Sequence, residues 1–233
     1  KRQLHDGDSF TIGDHVFRVE IQGETQTFET LISSEKTTTI SLEPVMTHLV
    51  ADVRGYSTIS QRLKSTDVYE VMKNVFKDLS KVVHRHQGVV KDFAGDAIFA
   101  VWEHGVEAKP EMAAAACLAA REQYHTLQRT LESLPDRYEE FRSIRMGWGI
   151  TTGTVTLSHF GVQKGQLAVV GDSTNLAFRL SGLANKTLES AIVLDSRTTE
   201  LLAGQLGVRE LGGVDTKGRK GKEMVYGLEI EET

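Results

Sequence analysis

Two aspartates lie where a carboxylate could bind a divalent cation. Asp52 ends an apolar strand in THLVADV (residues 47–53), and Asp96 follows Gly95 at the turn of the hairpin GVVKDFAGDAIFAVW (residues 88–102). If the two strands are neighbours in one sheet, both carboxylates reach the same edge, and their mutual repulsion favours a bound cation. Mg²⁺ is commonly held by carboxylates together with substrate phosphates. The pattern therefore predicts a shared metal site, and the alternative is that each aspartate caps its own turn.

A polar pair, Asn175 and Arg179, occurs in GDSTNLAFRL (residues 171–180). Residues four apart on a helix share a face, so the apolar residues between them face elsewhere. An arginine can bind phosphate oxygens through two parallel hydrogen bonds, and an asparagine amide can orient a ribose or ring oxygen. The pair is therefore either part of a nucleotide site or an ordinary polar pair on a helix surface.

Two further segments could bind phosphate groups. The residues Gly55, Tyr56 and Ser57 follow the first of these strands, and Ser57 is predicted to be the N-cap of a helix. Amide groups exposed at a helix N-terminus bind phosphate oxygens. Further along the chain, the basic loop DTKGRKGKE contains Lys217 and Arg219 at glycine-spaced positions. Such a loop could cover a triphosphate, although a charged loop is usually only solvated.

Helices and strands alternate around these residues. The predicted helices cover residues 57 to about 64, 68–86, 109 to about 134 and 171 to about 185. The predicted strands are residues 47–53, the hairpin 88–102, a strand pair over 146–157 broken at Thr152-Gly153, and residues 167–170, 191–194, 208–211 and 224–230. This alternation, which includes antiparallel hairpins, indicates an α/β or α+β sandwich.

The composition excludes several classes of protein. A chain of 233 residues is long enough for one large domain or for one domain and part of another. The net charge of −5 argues against a nucleic-acid-binding protein. No apolar run approaches the roughly 20 residues of a membrane span, so this chain is predicted to have no membrane segment. Cys117 is the single cysteine and lies in an apolar stretch, so we expect a core residue, a reducing compartment and a cytoplasmic location.

The N-terminal segment has a different pattern from the rest. Residues 1–21 contain short alternating runs separated by Asp-Gly-Asp and Gly-Asp, which predict small antiparallel strands. The succession L-x-D-G-D, I-G and V-F-x-V resembles the last strands of a forkhead-associated (FHA) domain, and an unrelated hairpin is the alternative. The resemblance implies a phosphoprotein partner for a complete domain, whose reading loops would lie upstream of Lys1. Residues 22–44, rich in Thr, Ser and Glu, predict a linker, and residues 45–233 a second domain.

Five segments of the second domain resemble, in order, the motifs of the class III nucleotide cyclase homology domain. These are VADVRGYSTISQRL, GVVKDFAGDAIFAVW, GITTGTV, VVGDSTNLAFRL and KGRKGKEMVYGL, and the match covers about residues 46–230. The resemblance implies an α+β fold with a ferredoxin-like βαββαβ core. It also implies a head-to-tail homodimer with two active sites at its interface. Each site would use two Mg²⁺ or Mn²⁺ ions to convert a nucleoside triphosphate to a 3′,5′-cyclic nucleotide and pyrophosphate.

The motif positions assign roles to individual residues. Asp52 and Asp96 match the metal-binding aspartates, and Asn175 and Arg179 match the pair that stabilises the transition state. Lys217 or Arg219 matches the basic residue that binds the terminal phosphates, and the glycine spacing leaves the choice open. Because the metal aspartates come from one subunit and the Asn/Arg pair from the other, the resemblance implies that a monomer is inactive.

The base-reading positions depart from the family pattern. Adenine-reading members carry lysine four residues before the second metal aspartate, where this chain has Asp92, with Lys91 one residue earlier. On a strand this shift turns a side chain to the opposite face, unless a bulge restores it. The second base-reading position is Ala168, which offers no hydrogen bond. An ionised Asp92 could accept one from the adenine amino group or from the guanine N1/N2 edge.

The base therefore remains open at the level of sequence. ATP is favoured because it is the commoner substrate of the family, and GTP is the nearest enzymatic alternative. A catalytically weak nucleotide-binding dimer and a phosphopeptide-recognition scaffold are the alternatives from other functional classes. The presence of Asp52, Asp96, Asn175 and Arg179 together favours catalysis, because an inactive site has no chemical need for the full set.

Overall fold

The chain contains two compact units, Lys1–Ile40 and Ser41–Thr233. The computed structural model describes residues 9–12, 15–18, 43–158, 168–215 and 221–230. In the first unit, β1 (Ser9–Ile12) and β2 (His15–Arg18) pair in antiparallel orientation. This hairpin agrees with the small antiparallel strands predicted for residues 1–21, while the FHA resemblance stays a prediction.

Strands and helices alternate along the second unit. Its strands are β3 (Val45–Val53), β4 (Val89–Ala94), β5 (Ala97–Gly105), β6 (Met146–Thr154), β7 (Thr156–Ser158), β8 (Ala168–Val170), β9 (Ile192–Asp195), β10 (Val208–Asp215) and β11 (Lys222–Leu228). Its α-helices are α1 (Tyr56–Arg62), α2 (Ser65–Arg85), α3 (Pro110–Glu132), α4 (Asp172–Leu183) and α5 (Ser196–Leu202), and a 3₁₀ helix covers Asp136–Ser143.

Seven of these strands form one sheet in the spatial order β10-β11-β9-β6-β3-β5-β4. The part β6-β3-β5-β4 is antiparallel throughout, and the chain passes through it as β3-α2-β4-β5-α3-β6. This is the predicted ferredoxin-like βαββαβ arrangement. β9 then extends the sheet parallel to β6, and β7 pairs with β8 in a separate two-stranded ladder. The α+β class expected from the sequence is confirmed.

The main core lies between the sheet and the helices α2 and α3. Along β3, Leu49 and Ala51 face this core, whereas Met46 and Val50 belong to a cluster on the opposite face, where α4 packs. Burying a side chain of the size of valine or leucine stabilises the fold by about 1.5–3 kcal/mol. Cys117 is fully buried within α3, as predicted. Within the described ranges, no helix is both long and apolar enough to cross a bilayer.

Glycines on β6 allow α4 to lie directly on the sheet. In MGWGITTGT, Gly147, Gly149 and Gly153 share the face toward α4, because side chains alternate along a strand. A Cβ atom at Gly149 would overlap the carbonyl oxygen of Ala177 in α4. At Gly153 it would lie 2.5 Å from the Cβ atom of Ser173. The helix backbone therefore occupies the space that side chains would otherwise fill.

Three local predictions were wrong. Gly55, with φ of 70°, is the N-cap of α1, so Ser57 lies inside the first turn, because glycine adopts this left-handed conformation at little cost. The expected break at Thr152-Gly153 is absent, since both residues pair with β3 and β6 runs unbroken to Thr154. The helix α5 was missed, although Asp195 caps it by accepting a hydrogen bond from the Thr198 amide at 2.9 Å.

We expect Gly149→Ala to lower the free energy of unfolding by about 1–3 kcal/mol, because the new methyl group must displace the backbone of α4. Gly182→Ala is the matched control, since a Cβ atom there would meet nothing within 4 Å and alanine favours the helix. Urea denaturation followed by circular dichroism measures both variants. Equal midpoints for Gly149→Ala and the unsubstituted chain would contradict the close approach of α4 to β6.

Candidate active site

Asp52 and Asp96 lie next to each other at one edge of the sheet. Asp52 is paired with Ala97 across β3 and β5, and Asp96 directly precedes Ala97. The amide of Val53 donates a hydrogen bond to the carbonyl oxygen of Asp96 at 3.2 Å, which fixes the turn against the end of β3. Gly95, with φ of 65°, makes the two-residue turn between β4 and β5 possible. The predicted convergence of the two residues is therefore observed.

The pKa of the Asp52 carboxyl is raised by its surroundings. Burial raises the pKa of the Asp52 carboxyl, the neighbouring Arg54 guanidinium lowers it, and the charge of Asp96 raises it. Within the described residues, no cluster of three or more His, Cys, Asp or Glu could hold a metal ion. Carboxylate oxygens are ligands of hard cations such as Mg²⁺, which commonly take further oxygen ligands from substrate phosphates and water.

Arg54 was missed as a site residue. Its Nη1 donates a hydrogen bond to Asp52 Oδ2 at 2.6 Å, and its Nε donates one to the carbonyl oxygen of Ala184, just after α4, at 2.8 Å. The contact with Asp52 was accessible from sequence, because residues two apart on an extended segment share a face. The contact with Ala184 spans 130 positions of sequence and depends on the tertiary fold.

α4 presents Asn175 and Arg179 away from the sheet. Leu176 and Leu180 are buried, whereas Asn175 is exposed and Arg179 is partly exposed, as the four-residue spacing predicts. Between them Phe178 contacts Phe99 of β5, with ring centroids 5.6 Å apart. The polar pair therefore lies on an outer face of the unit, available to a nucleotide or to a partner subunit.

β4 contains a bulge at Lys91. Val90 pairs with Ala100 and Asp92 pairs with Phe99, so Lys91 is the extra residue. Burial raises the pKa of the Glu103 carboxyl on β5, and the ammonium of Lys91 partly offsets this effect. Glu103 and Phe99 share a face of β5 by strand alternation. The bulge considered from the sequence is therefore present, and it leaves Lys91 and Asp92 on the side that faces α4.

Of the other predicted site residues, the structure describes some and not others. Gly55 precedes α1, and Tyr56 and Ser57 form its first turn, where amide groups lack acceptors within the helix. Ala168 begins β8, opposite Ser158 of β7. The predicted phosphate-binding residues Lys217 and Arg219 lie outside the described residues.

His48 is a second residue that the sequence did not single out. It lies four residues before Asp52 on the same face of β3, and it is fully buried. Burial, aided by the charge of His104, lowers the pKa of the His48 imidazole to about 4, so the ring is neutral at pH 7. Its Nε2 shares a hydrogen bond with Ser173 Oγ at 3.2 Å, and its ring stacks on Phe99. His48 therefore fixes the beginning of α4 against the sheet.

Solved structures share this fold. The adenylyl cyclase CyaB from P. aeruginosa matches with a TM-score of 0.73 and 19% identity, over 82% of this chain and 97% of that one. The guanylyl cyclase Cya2 matches with a TM-score of 0.69 and 24% identity, over 81% of this chain and 93% of that one. At such identities the likeness shows the fold alone.

Two relatives found by sequence similarity are named adenylate cyclases. The chain is 29% identical over 187 residues to adenylate cyclase 1 of Rhizobium meliloti (strain 1021), covering 78% of this chain and 27% of the relative. It is 26% identical over 145 residues to an adenylate cyclase of Anabaena cylindrica, covering 60% of this chain and 28% of the relative. The chain thus spans less than a third of either relative.

The family model of the adenylate and guanylate cyclase catalytic domain matches residues 40–230. This range includes the carboxylate pair at the edge of the sheet, the bulged strand β4 and the whole of α4. The chain belongs to the family of adenylate and guanylate cyclase catalytic domains.

Proposed function

We propose that the chain is a nucleotide cyclase that converts ATP to 3′,5′-cyclic AMP and pyrophosphate at the interface of a homodimer. The observation that carries this proposal is the convergence of Asp52 and Asp96 at one edge of the sheet. The relatives named adenylate cyclases support ATP as the substrate. GTP is the second candidate, because Asp92, an acceptor when ionised, stands at a base-reading position and a guanylyl cyclase shares the fold.

The residues of the chain would act on different parts of the nucleotide. Asp52 and Asp96 would hold two divalent cations, Mg²⁺ or Mn²⁺. When bound, these ions lower the pKa of the ribose 3′-hydroxyl and stabilise charge on the reacting phosphate. The 3′-hydroxyl would give up its proton to solvent water, its oxygen would form a bond to the α-phosphorus, and the bond from this phosphorus to the bridging oxygen would break so that pyrophosphate leaves. Arg179 would bind the phosphate charge that develops in this step, while Asn175 orients the ribose.

Further groups would hold the phosphates. The first-turn amides of α1, at Tyr56 and Ser57, are suited to bind phosphate oxygens, and Gly55 lets the chain turn toward them. Lys217 or Arg219 would bind the terminal phosphates, as the family resemblance implies. These contacts spread the charge of the triphosphate over several donors.

The homodimer would complete each active site. Asp52 and Asp96 of one subunit would face Asn175 and Arg179 of the other, as the family resemblance implies. The apolar residues Phe178 and Val170 support this arrangement, since 36% and 49% of their surfaces are exposed in the single chain. Burial of these apolar side chains against a second subunit would stabilise the dimer.

Lys91 and Asp92 would read the base. Their placement on the α4 side of β4 gives this region one donor and one acceptor. Lys91 can donate to adenine N1, and the Asp92 carboxylate can accept from the adenine amino group. Asp92 Oδ1 already accepts a hydrogen bond from the Phe93 amide at 2.8 Å, which orients the carboxylate. Ala168 would leave the second base-reading position without a polar group.

The first unit would link the cyclase to a signal. A complete FHA domain would bind a phosphoprotein, and residues 22–44 would connect it to the cyclase domain. The β1–β2 hairpin supports this proposal. A catalytically weak nucleotide-binding dimer is the alternative, and measurement of product formation distinguishes the two functions.

Incubation with ATP or GTP and Mg²⁺ or Mn²⁺, followed by mass spectrometry, is expected to yield cyclic AMP. We expect Asp96→Asn to lower the rate by at least about 100-fold, because it removes a metal-binding charge. Asp136→Asn is the control, since that carboxylate lies on the surface and its pair with Arg142 contributes little. Cyclic GMP alone would favour GTP, and bound nucleotide without either product would refute catalysis.

We expect mixed dimers to recover activity when the two lesions lie on opposite sides of the interface. An equal mixture of Asp96→Asn and Arg179→Ala chains should reach about a quarter of the wild-type rate, since half the dimers are mixed and each has one intact site. A mixture of Asp52→Asn and Asp96→Asn should stay inactive, because both changes affect the same side. Equal rates for the two mixtures after proven subunit exchange would exclude shared sites.

Lys91→Ala is expected to lower kcat/KM for ATP by about 10-fold or more, because a charge-assisted hydrogen bond to the base is lost. The loss for GTP should be smaller, so that discrimination between the two nucleotides narrows. Lys81→Ala is the matched control, because Lys81 lies on the exposed face of α2 and pairs with Asp78. If the ratio of kcat/KM for ATP to kcat/KM for GTP were the same in both lysine variants, Lys91 would have no part in base selection.

A further inference from the structure

Arg54 bridges the metal-binding edge of the sheet and the end of α4. Its Nη1 lies 2.6 Å from Asp52 Oδ2, and its Nε lies 2.8 Å from the Ala184 carbonyl oxygen. The amide of Arg54 also donates to the Arg145 carbonyl oxygen at 2.8 Å, so the backbone is held as well. Only 15% of the Arg54 side chain is exposed, which distinguishes this bridge from a solvated surface pair.

A glycine on β6 creates the space for this guanidinium. Gly147 is paired with Asp52 across β3 and β6. A Cβ atom at Gly147 would overlap Arg54 Nη2 and would lie 2.7 Å from the carbonyl oxygens of both Ser181 and Ala184. A side chain at this position would therefore displace either Arg54 or the last turn of α4.

The end of α4 carries negative partial charge that needs a cation. The last carbonyl groups of a helix lack N–H donors within the helix and form the negative end of its dipole. Ala184 is the C-cap of α4, and the last turn of this helix contains no basic residue. Arg54, the residue that directly follows β3, places a cation at this helix end, and the same guanidinium also balances the charge of Asp52.

We propose that Arg54 is a positioning residue that fixes the Asp52 carboxylate relative to α4, the helix that carries Asn175 and Arg179. The consequence for catalysis rests on the proposed cyclase function. The contacts of Arg54 with Asp52 and Ala184, called the Arg54 tie below, do not depend on that function. Arg54 holds one Asp52 oxygen in place against repulsion from Asp96. Its positive charge also opposes a cation at Asp52. Arg54 therefore raises the turnover rate by orientation while it weakens metal binding by repulsion.

Because Arg54 is proposed to raise turnover and to weaken metal binding, its loss should change kcat and the Mn²⁺ requirement in a combination that general disruption of the site would not produce. With saturating ATP, Arg54→Gln should lower kcat about 10–100-fold because Asp52 and α4 lose their alignment. The Mn²⁺ concentration for half-maximal rate should fall about threefold or more, because a nearby positive charge is removed. Arg54→Lys should lower kcat as well, since one ammonium cannot replace the guanidinium fork, but should leave the Mn²⁺ requirement within about twofold.

Arg62→Gln is the matched control, since Arg62 is exposed at the end of α1 and its loss should change neither parameter. An unchanged kcat in Arg54→Gln would overturn the proposal. A higher Mn²⁺ requirement in Arg54→Gln would also overturn it, because that result indicates general disruption of the site. If Arg54→Gln does not fold, Arg54→Lys decides through its kcat and the exchange measurement that follows.

Measurement of amide hydrogen exchange tests the Arg54 tie independently of the proposed function. In Arg54→Gln, amides in the last turn of α4 should exchange about 10-fold faster or more, while those in α2 keep their rates. Arg54→Lys should give the same pattern to a smaller degree. If the wild-type chain forms no cyclic nucleotide, the proposed function fails, yet the exchange rates still test the tie. Unchanged exchange in α4 for both variants would overturn the tie even in an active cyclase.

Discussion

The architecture of the site depends on the close approach of α4 to β6. Three glycines on one face of β6 remove the side chains that would separate helix from strand. Because α4 rests on backbone rather than on side chains, its outer face, with Asn175 and Arg179, is set at a fixed height above the sheet. His48 holds the beginning of this helix and Arg54 holds its end. His48 lies on β3, which also carries Asp52, and Arg54 directly follows this strand, so one segment of the chain positions both groups of candidate site residues.

Charge balance is the second constraint on this edge of the sheet. Two carboxylates close together repel each other, and burial adds to the cost of the charge on Asp52. Arg54 offsets this repulsion at one oxygen of Asp52. A divalent cation with a nucleotide would supply the larger counter-charge. The same carboxylates thus connect the stability of the strand end, the proposed metal binding and the orientation of α4.

The sequence predicted the fold well where patterns were local. The hairpin of residues 88–102, the amphipathic spacing of α2 and the face of α4 that carries Asn175 all follow from periodicity, and the motif order led to the ferredoxin-like core. Other features depended on distant partners. Thr152 and Gly153 look like a turn in isolation, yet pairing with β3 keeps them in a strand. Likewise, the contact between Arg54 and Ala184 joins residues that only the folded sheet brings together.

The bulge at Lys91 lies on β4, which forms an edge of the sheet. An edge strand has one unpaired side, so an inserted residue disturbs one ladder instead of two. A central strand such as β3 would lose its register with both neighbours after the same insertion. The segment proposed to read the base therefore occupies the part of the sheet where a residue can be added or removed with the least damage to the core. If Lys91 and Asp92 read the base as proposed, an insertion or deletion of one residue here would change the groups that face the base and leave the core of the sheet intact.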